Sequence, residues 1–484
     1  MTAEDRPADV ELVVEGVPAA VSLAPSAAGA PALGGELLLD GEGRPGLQSM
    51  RAGLVQAGPL AAAGVLANGA NVVVTVLVAR LLSPHSYGVL NQLTGLFLIL
   101  SMPGSAVIVA VVRRVTMWHE GGAAALIRRW AGRVHRQSSM VVLVWAVIVF
   151  LTRHWVAVLL NQRSGIGIAA ILAAAAFFVL LSLDRGLLQA RRAYRPLAAN
   201  LLVEGGVRTV AVLALVGAGT GSSGAAIGVL VAEILTAAHA RYAAARAWSS
   251  GEERGVPVVS GWIAALRRDV VLAASRLERH RVVVDLVVAS VALSMVALLQ
   301  NVDVLIVGRD NPGHSGAYAA VSVTTKAIVF GAIVLGGYLL PEAAIRWRQG
   351  GHALRQLSVV LTLLAVPAVI LLVVAIGAPR ELLQAVFHHE YTAAAPAMAP
   401  LGGAMILLSV TVVLTMYLLA VGRRWVAAVL VAGSVALSIA VSLVHGAPRA
   451  TAITDLVVQA AVLAVVVCGF TLVHQVRARV GRVS

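Results

Sequence analysis

From Leu60 onward the chain repeats one pattern: apolar runs of about twenty residues, each closed by a short polar break. A helix needs about 20 mostly apolar residues to cross the ~30 Å hydrocarbon core of a bilayer, so each run predicts a membrane-spanning helix. The predicted spans are 60–81, 89–112, 138–160, 167–189, 198–218, 223–245, 284–307, 316–340, 357–377, 397–420, 425–445 and 452–474. Runs such as "VVLVWAVIVFL" lack the period-2 alternation of membrane β-strands, whose segments are about ten residues long. The pattern therefore predicts an all-α polytopic membrane protein with about 12 transmembrane helices.

Composition agrees: 59% of residues are hydrophobic and 12% charged, with a mean hydropathy of +0.89, which excludes an ordinary soluble domain. The net charge of +14 would suit a nucleic-acid surface, but the arginines lie in alternate loops rather than on one face. Arg113, Arg114, Arg128 and Arg129 follow the second run, Arg191, Arg192 and Arg195 the fourth, Arg423 and Arg424 the tenth, and Arg477, Arg479 and Arg482 the last. The intervening loops are nearly bare of arginine. This asymmetry predicts a multi-pass protein of the cytoplasmic membrane with both termini in the cytoplasm, surrounded by membrane lipids and with no nucleic-acid partner. Residues 1–57, rich in Ala, Pro, Gly and acidic side chains, read as a disordered cytoplasmic tail. No signal peptide is recognised in it, so the first run is expected to direct insertion. The single cysteine, Cys468, excludes an intramolecular disulfide and a cysteine metal cluster.

The longest internal polar stretch, 249–281, divides the runs six and six and reads as a cytoplasmic linker, in which Trp262, Ile263, Leu266, Val270 and Leu277 can form an amphipathic helix on anionic lipid. This gives a bundle over 58–248, the linker, a second bundle over 282–476 and a tail over 477–484. The bundles echo each other. "SPHSYGVLNQLTGLFLIL" opens the second span of the first and "NPGHSGAYAAVSVTTKAIVF" the second span of the other, while "LLQARRAYRPLAANLLV" and "YLLAVGRRWVAAVLV" join corresponding spans. Two pseudosymmetric six-helix bundles of like orientation are the design of a transporter, with the substrate path between them.

The stretch "ARLLSPHSYG" is similar to the "ARLLGPxxYG" signature of Wzx-like polysaccharide flippases, a branch of the multidrug/oligosaccharidyl-lipid/polysaccharide (MOP) exporter superfamily. "RGLLQARRAYRPLAANLL", "LLQNVDVLIVG", "GAYAAVSVTTKAIVFGAIVLGGYLLPEAA", "LLQAVFHHEYTAAAPAMAPLGGAMILL" and "YLLAVGRRWVAAVLV" follow in the order such proteins show. The resemblance implies alternating-access export of a polyprenyl-diphosphate-linked oligosaccharide for cell-surface polysaccharide, beside a polymerase and glycosyltransferases. It implies a transporter, not an enzyme, without a cofactor. Two other classes stay open: a MATE-like cation-coupled drug or metabolite exporter, and a membrane-embedded glycan ligase or polymerase, whose large outer catalytic loop has no counterpart here.

Charged and polar residues inside spans are the site candidates, since a charge at the bilayer centre costs at least ~2.5 kcal/mol. Lys326, the only lysine, is expected to pair with Glu233 or Asp303, or to attract a pyrophosphate. Glu204 and Arg208, four apart, share a helix face and can pair with each other. Asp303, beside Asn301, reads as a helix-packing contact or a cation or proton site. Asn68, Asn71, Asn91 and Gln92 can line a cavity mouth and bond sugar hydroxyls, or join helices. Arg80 can anchor the interface or bind an anion, while Pro84 and Gly88 suit a tight turn between spans. "GTGSSG", 219–224, fits a dinucleotide pattern, but no strand precedes it, so it reads as a turn. His388, His389 and Glu390 lack the spacing of a helical metal pair, and no metal is expected. No Walker lysine or nucleophile elbow occurs.

Overall fold

The computed structural model describes residues 62–64, 66–67, 69–71, 73–120, 124–162, 164–249, 261–348 and 354–480. They form α1 (Ala62–Leu81), α2 (Pro84–Glu120), α3 (Ala124–Leu159), α4 (Gly165–Ala190), α5 (Tyr194–Gly217), α6 (Gly221–Ser249), α7 (Gly261–Asp310), α8 (Pro312–Arg348) and α9 (Leu354–Gly377). The short α10 (Pro379–Val386) and a 3₁₀ segment, η1 (His389–Ala397), follow, then α11 (Met398–Ala420), α12 (Trp425–Ser442) and α13 (Pro448–Val480). Among the described residues twelve helices are long and apolar enough to cross a membrane and no strand occurs, as the run pattern predicts.

Several helices outrun their apolar cores. α3 begins at Ala124 rather than near 138, because "AALIRRWAGRVHRQ" contains no proline and a single glycine, Gly132, among good helix formers, and so continues the turn of the apolar run. α7 begins at Gly261, so part of the expected linker is helical; the amphipathic face expected there, and the tail at 1–57, lie outside the residues whose side chains are described. The 218–220 break is a turn in which Gly219, and Gly221 at the start of α6, adopt φ of +81° and +64°, a conformation that L side chains resist.

The first six spans, the N-half, pack as α2 on α4, α4 on α6, α5 on α6 and α3 on α4. Small residues let the backbones approach: a Cβ on Gly228 of α6 would lie 2.8 Å from both Cα and N of Val212 on α5. The C-half packs as α8 on α11, α7 on α12 and α11 on α13. α3, α9 and α13 are peripheral, and their outward faces carry Val141, Leu143, Val366, Val369 and Val457, as lipid-facing surfaces do. The breaks α1/α2, α3/α4, α5/α6 and α7/α8 share one end of the bundle, here called the hairpin end.

Candidate functional site

α2 joins the two halves, packing against both α7 and α8. Gln92 is wholly buried at this junction: its Nε2 donates to the Leu305 carbonyl of α7 at 2.9 Å and to the Leu160 carbonyl at 3.3 Å, while its Oε1 accepts from Gln162. Beside it Asn161, at a φ of 52°, donates from Nδ2 to the Arg309 carbonyl at 2.9 Å. Arg80 reaches across to the carbonyls of Ala385, at 3.1 Å from Nη2, and Val386, at 3.3 Å from Nε. The Tyr391 hydroxyl donates to the Ala79 carbonyl at 2.7 Å, and its ring meets Tyr87 edge-on at 5.6 Å, with Phe387 completing the cluster.

Among the described residues, every hydrogen bond and ring contact between the halves lies at this end. Deeper along α2 the seal is mostly apolar: a cavity of about 10 Å³, room for one water, lies between Met102 and Leu293, Val296, Ile333 and Met416, with Gln300 and Thr415 as its polar lining. Pro103 follows at once, and it withdraws one N–H from the helix ladder of α2. Near the other end Val115, Trp118, Ile127, Leu187 and Trp248 form a cluster wholly within the N-half.

Inside the N-half a buried ionic chain links three helices. Arg185 of α4 donates to Glu204 Oε2 at 2.6 Å and to Asn200 Oδ1 at 2.7 Å; Arg208 donates to Glu204 Oε1 at 2.7 Å and to Glu233 Oε1 of α6 at 2.5 Å. Asn200 Nδ2 donates to the Thr236 carbonyl at 3.0 Å. Next to it Asp184 meets His135 at 3.3 Å and Arg241 at 3.4 Å. Two arginines thus face two glutamates, and Asp184 has its own cationic partner.

The C-half holds a different cluster. The Lys326 ammonium lies 3.5 Å from Asp303 Oδ1 and 3.4 Å from Asn301 Oδ1, and the Tyr318 hydroxyl donates to Asp303 Oδ2 at 2.9 Å. Asp455 of α13 belongs to the same electrostatic cluster as Asp303 and Lys326 and accepts from Gln459 Nε2 at 3.1 Å. Asp303 and Asp455 are both fully buried, so two carboxylates face one ammonium.

Of the residues singled out from sequence, Lys326 and Asp303 come together, with Asp303 the partner found for Lys326. Glu204 and Arg208 pair as their spacing predicts. Arg80 and Gln92 meet at the junction, and Arg208 stands apart within the N-half. Asn91 donates to the Tyr87 carbonyl of its own helix, the Asn71 carbonyl accepts from Thr75, and Asn68 lies outside the described residues. Sequence reading missed Arg185, Asp184 and Asp455, and the role of α10 and η1, which it took as loop. His388, in that stretch, has its Nδ1 against the Phe387 carbonyl. Among the described residues no group of three or more His, Cys, Asp or Glu could hold a metal ion.

A bundle in which, among the described residues, twelve helices are long and apolar enough to cross a membrane, joined through one end and carrying buried charge in each half, defines the class of fold. No protein-family model matches the sequence, and no curated protein matches it. Solved structures do match. An inward-facing MATE family multidrug-resistance transporter of the MOP superfamily superposes with a TM-score of 0.61 at 11% identity, over 84% of this chain and 95% of that one. An outward-facing MATE family transporter of the MOP superfamily gives 0.58 at 10%, over 88% and 96%. A MOP superfamily transporter from Pyrococcus furiosus, described by the reversed polarity of its binding pocket, gives 0.54 at 10%, over 86% and 94%. The chain has the fold of these transporter structures.

Proposed function

We propose that the protein is an alternating-access membrane transporter, held here in the state closed at the hairpin end, and that this end faces away from the cytoplasm. The observation that carries the reading is the confinement of polar and ring contacts between the halves to one end: two rigid bundles touching through a single seam can rock about it and expose their interface to either side. The MATE-type fold and the arginine asymmetry of the loops support it. For the substrate we propose a polyprenyl-diphosphate-linked oligosaccharide, whose glycan head crosses between the bundles while its tail stays in lipid. The ordered series of stretches similar to Wzx-like flippases supports this choice.

A second reading, a cation-coupled exporter of drugs or metabolites, is favoured by one specific feature. The buried arginines Arg185 and Arg208 of the N-half are matched by Glu204 and Glu233, whereas the C-half cluster sets two buried carboxyl groups, Asp303 and Asp455, beside one ammonium. Reconstitution separates the two. In liposomes carrying a fluorescent short-chain polyprenyl-diphosphate disaccharide, the protein should speed transfer of the head group to the leaflet reached by a membrane-impermeant quencher. Proton- or sodium-driven movement of a cationic dye, with no transfer of the lipid-linked sugar, would overturn the flippase reading in favour of the second.

A further inference from the structure

The two stretches that echo each other in sequence touch in space. α2 and α8 both open with proline and carry glycine four residues on: Pro84 and Gly88, Pro312 and Gly316. A Cβ on Gly88 would stand 2.2 Å from Ser315 Oγ, 2.7 Å from Gly316 N and 2.8 Å from the Ser315 carbonyl carbon. One on Gly316 would stand 1.9 Å from the Pro84 carbonyl oxygen and 2.5 Å from its carbon. Backbone atoms cannot swing aside as a side-chain tip can. The two helix starts therefore cross with main chain on main chain.

Neither glycine is needed by its own half. Both lie in regular helix, and neither is among the residues with positive φ. Alanine is the better helix former at such positions, since glycine loses more backbone freedom on folding. Each atom named above as crowding Gly88 or Gly316 belongs to the other half. Gly313, one turn earlier in α8, has nothing within 4 Å of its Cβ position.

We infer that Gly88 and Gly316 form the seam that permits closure at the hairpin end, so that a single methyl group at either position excludes the closed state while leaving each half intact. The inference rests on the alternating-access reading for the existence of a second state, but its test needs no substrate, so a failure to find transport would not be confused with a failure of the seam.

The test uses a Cys468→Ser background, which removes the one native and exposed cysteine. A Met102→Cys probe, buried beneath the seam, is exposed to a membrane-impermeant maleimide from the extracytoplasmic face of intact cells. Gly88→Ala and Gly316→Ala should each raise the labelling rate at least tenfold, and Gly313→Ala should leave it unchanged. A second readout is a disulfide between Gly95→Cys and Asn301→Cys, since a Cβ on Gly95 would lie 3.4 Å from Asn301 Cβ, close to the ~3.5–4.5 Å of a disulfide. Its oxidative yield should fall in the Gly316→Ala protein. Unchanged labelling and crosslinking in both variants would overturn the inference. So would failure of both to accumulate in the membrane while Gly313→Ala does, because the glycines would then be required for folding. Faster labelling seen only in inside-out vesicles would support the seam and overturn the orientation proposed above.

Discussion

Lys326 offers the sharpest test of how the interior is held together. Its ammonium is 3.5 Å from Asp303 Oδ1, with the side chain 7% exposed and the carboxylate wholly buried. At an effective dielectric constant near 20 that separation corresponds to a gross attraction of about 5 kcal/mol. Removing one member of such a pair typically costs about 3–5 kcal/mol, because the remaining charge stays buried without a partner. Asp455, buried in the same cluster, offers Asp303 no cation in its place. Lys326→Met keeps the length and apolar stem of the side chain and deletes only the charge. Asp303→Asn keeps the shape of the carboxylate and deletes only its charge, leaving Lys326 near Asp455.

The ranking of four proteins decides the matter. In detergent, followed by tryptophan fluorescence on heating, Lys326→Met should melt lowest, Asp303→Asn should lie between it and the parent, and the double variant should recover a large part of the single loss. Recovery is the diagnostic outcome, because neutralising both partners removes the uncompensated charge even though it restores no contact. A double variant no more stable than Lys326→Met would refute the charge-pair account and assign the lysine's value to packing of its stem. If the stable double variant still transfers lipid-linked glycan at the parental rate, Lys326 is a counter-ion and not a ligand for the diphosphate.

Two further variants probe the N-half. Arg185→Ala should lower stability by about 3–5 kcal/mol, because it strips Glu204 Oε2 and Asn200 Oδ1 of their donor at once; Arg185→Lys should recover little in the same melting assay, since an ammonium cannot span both acceptors as the guanidinium fork does. Gly228→Ala should lower the melting temperature more than Gly316→Ala, because its Cβ would strike the Val212 backbone inside one half, where no rocking motion can relieve the clash.

The spans were legible because an apolar run of membrane length has few other uses, and the need for a partner to Lys326 was legible because a buried charge must be compensated. Other features were hidden for identifiable reasons. Asp184 and Arg185 are adjacent in the chain, yet successive helix positions point about 100° apart. They serve different partners: Arg241 and His135 for the aspartate, Glu204 and Asn200 for the arginine. Asp455 sits in a long apolar run with only Gln459, four residues on, as company, and its place in the Lys326 cluster is a tertiary fact. The stretch "PRELLQAVFHHEY" is polar enough to pass for loop. Its eight-residue helix is too short to persist alone, and it is tied down by Arg80, Tyr87 and Ala79 from the other half, none of which is near it in sequence.

The distribution of charge bears on how such a bundle can open. Among the described residues every ion pair lies within one half: Arg185 and Arg208 with the glutamates, Arg241 and His135 with Asp184, Lys326 with Asp303. The junction is built instead from two amides, Gln92 and Asn161, backbone carbonyls, aromatic rings and bare glycine backbone, and its one charged member, Arg80, is exposed and bonded to carbonyls. Breaking a neutral hydrogen bond and giving its partners to water costs about 0.5–1.5 kcal/mol. Separating a buried ion pair costs several times more. Charges that must stay neutralised are kept inside bodies that move as units, and the surface between those bodies carries only interactions that water can replace.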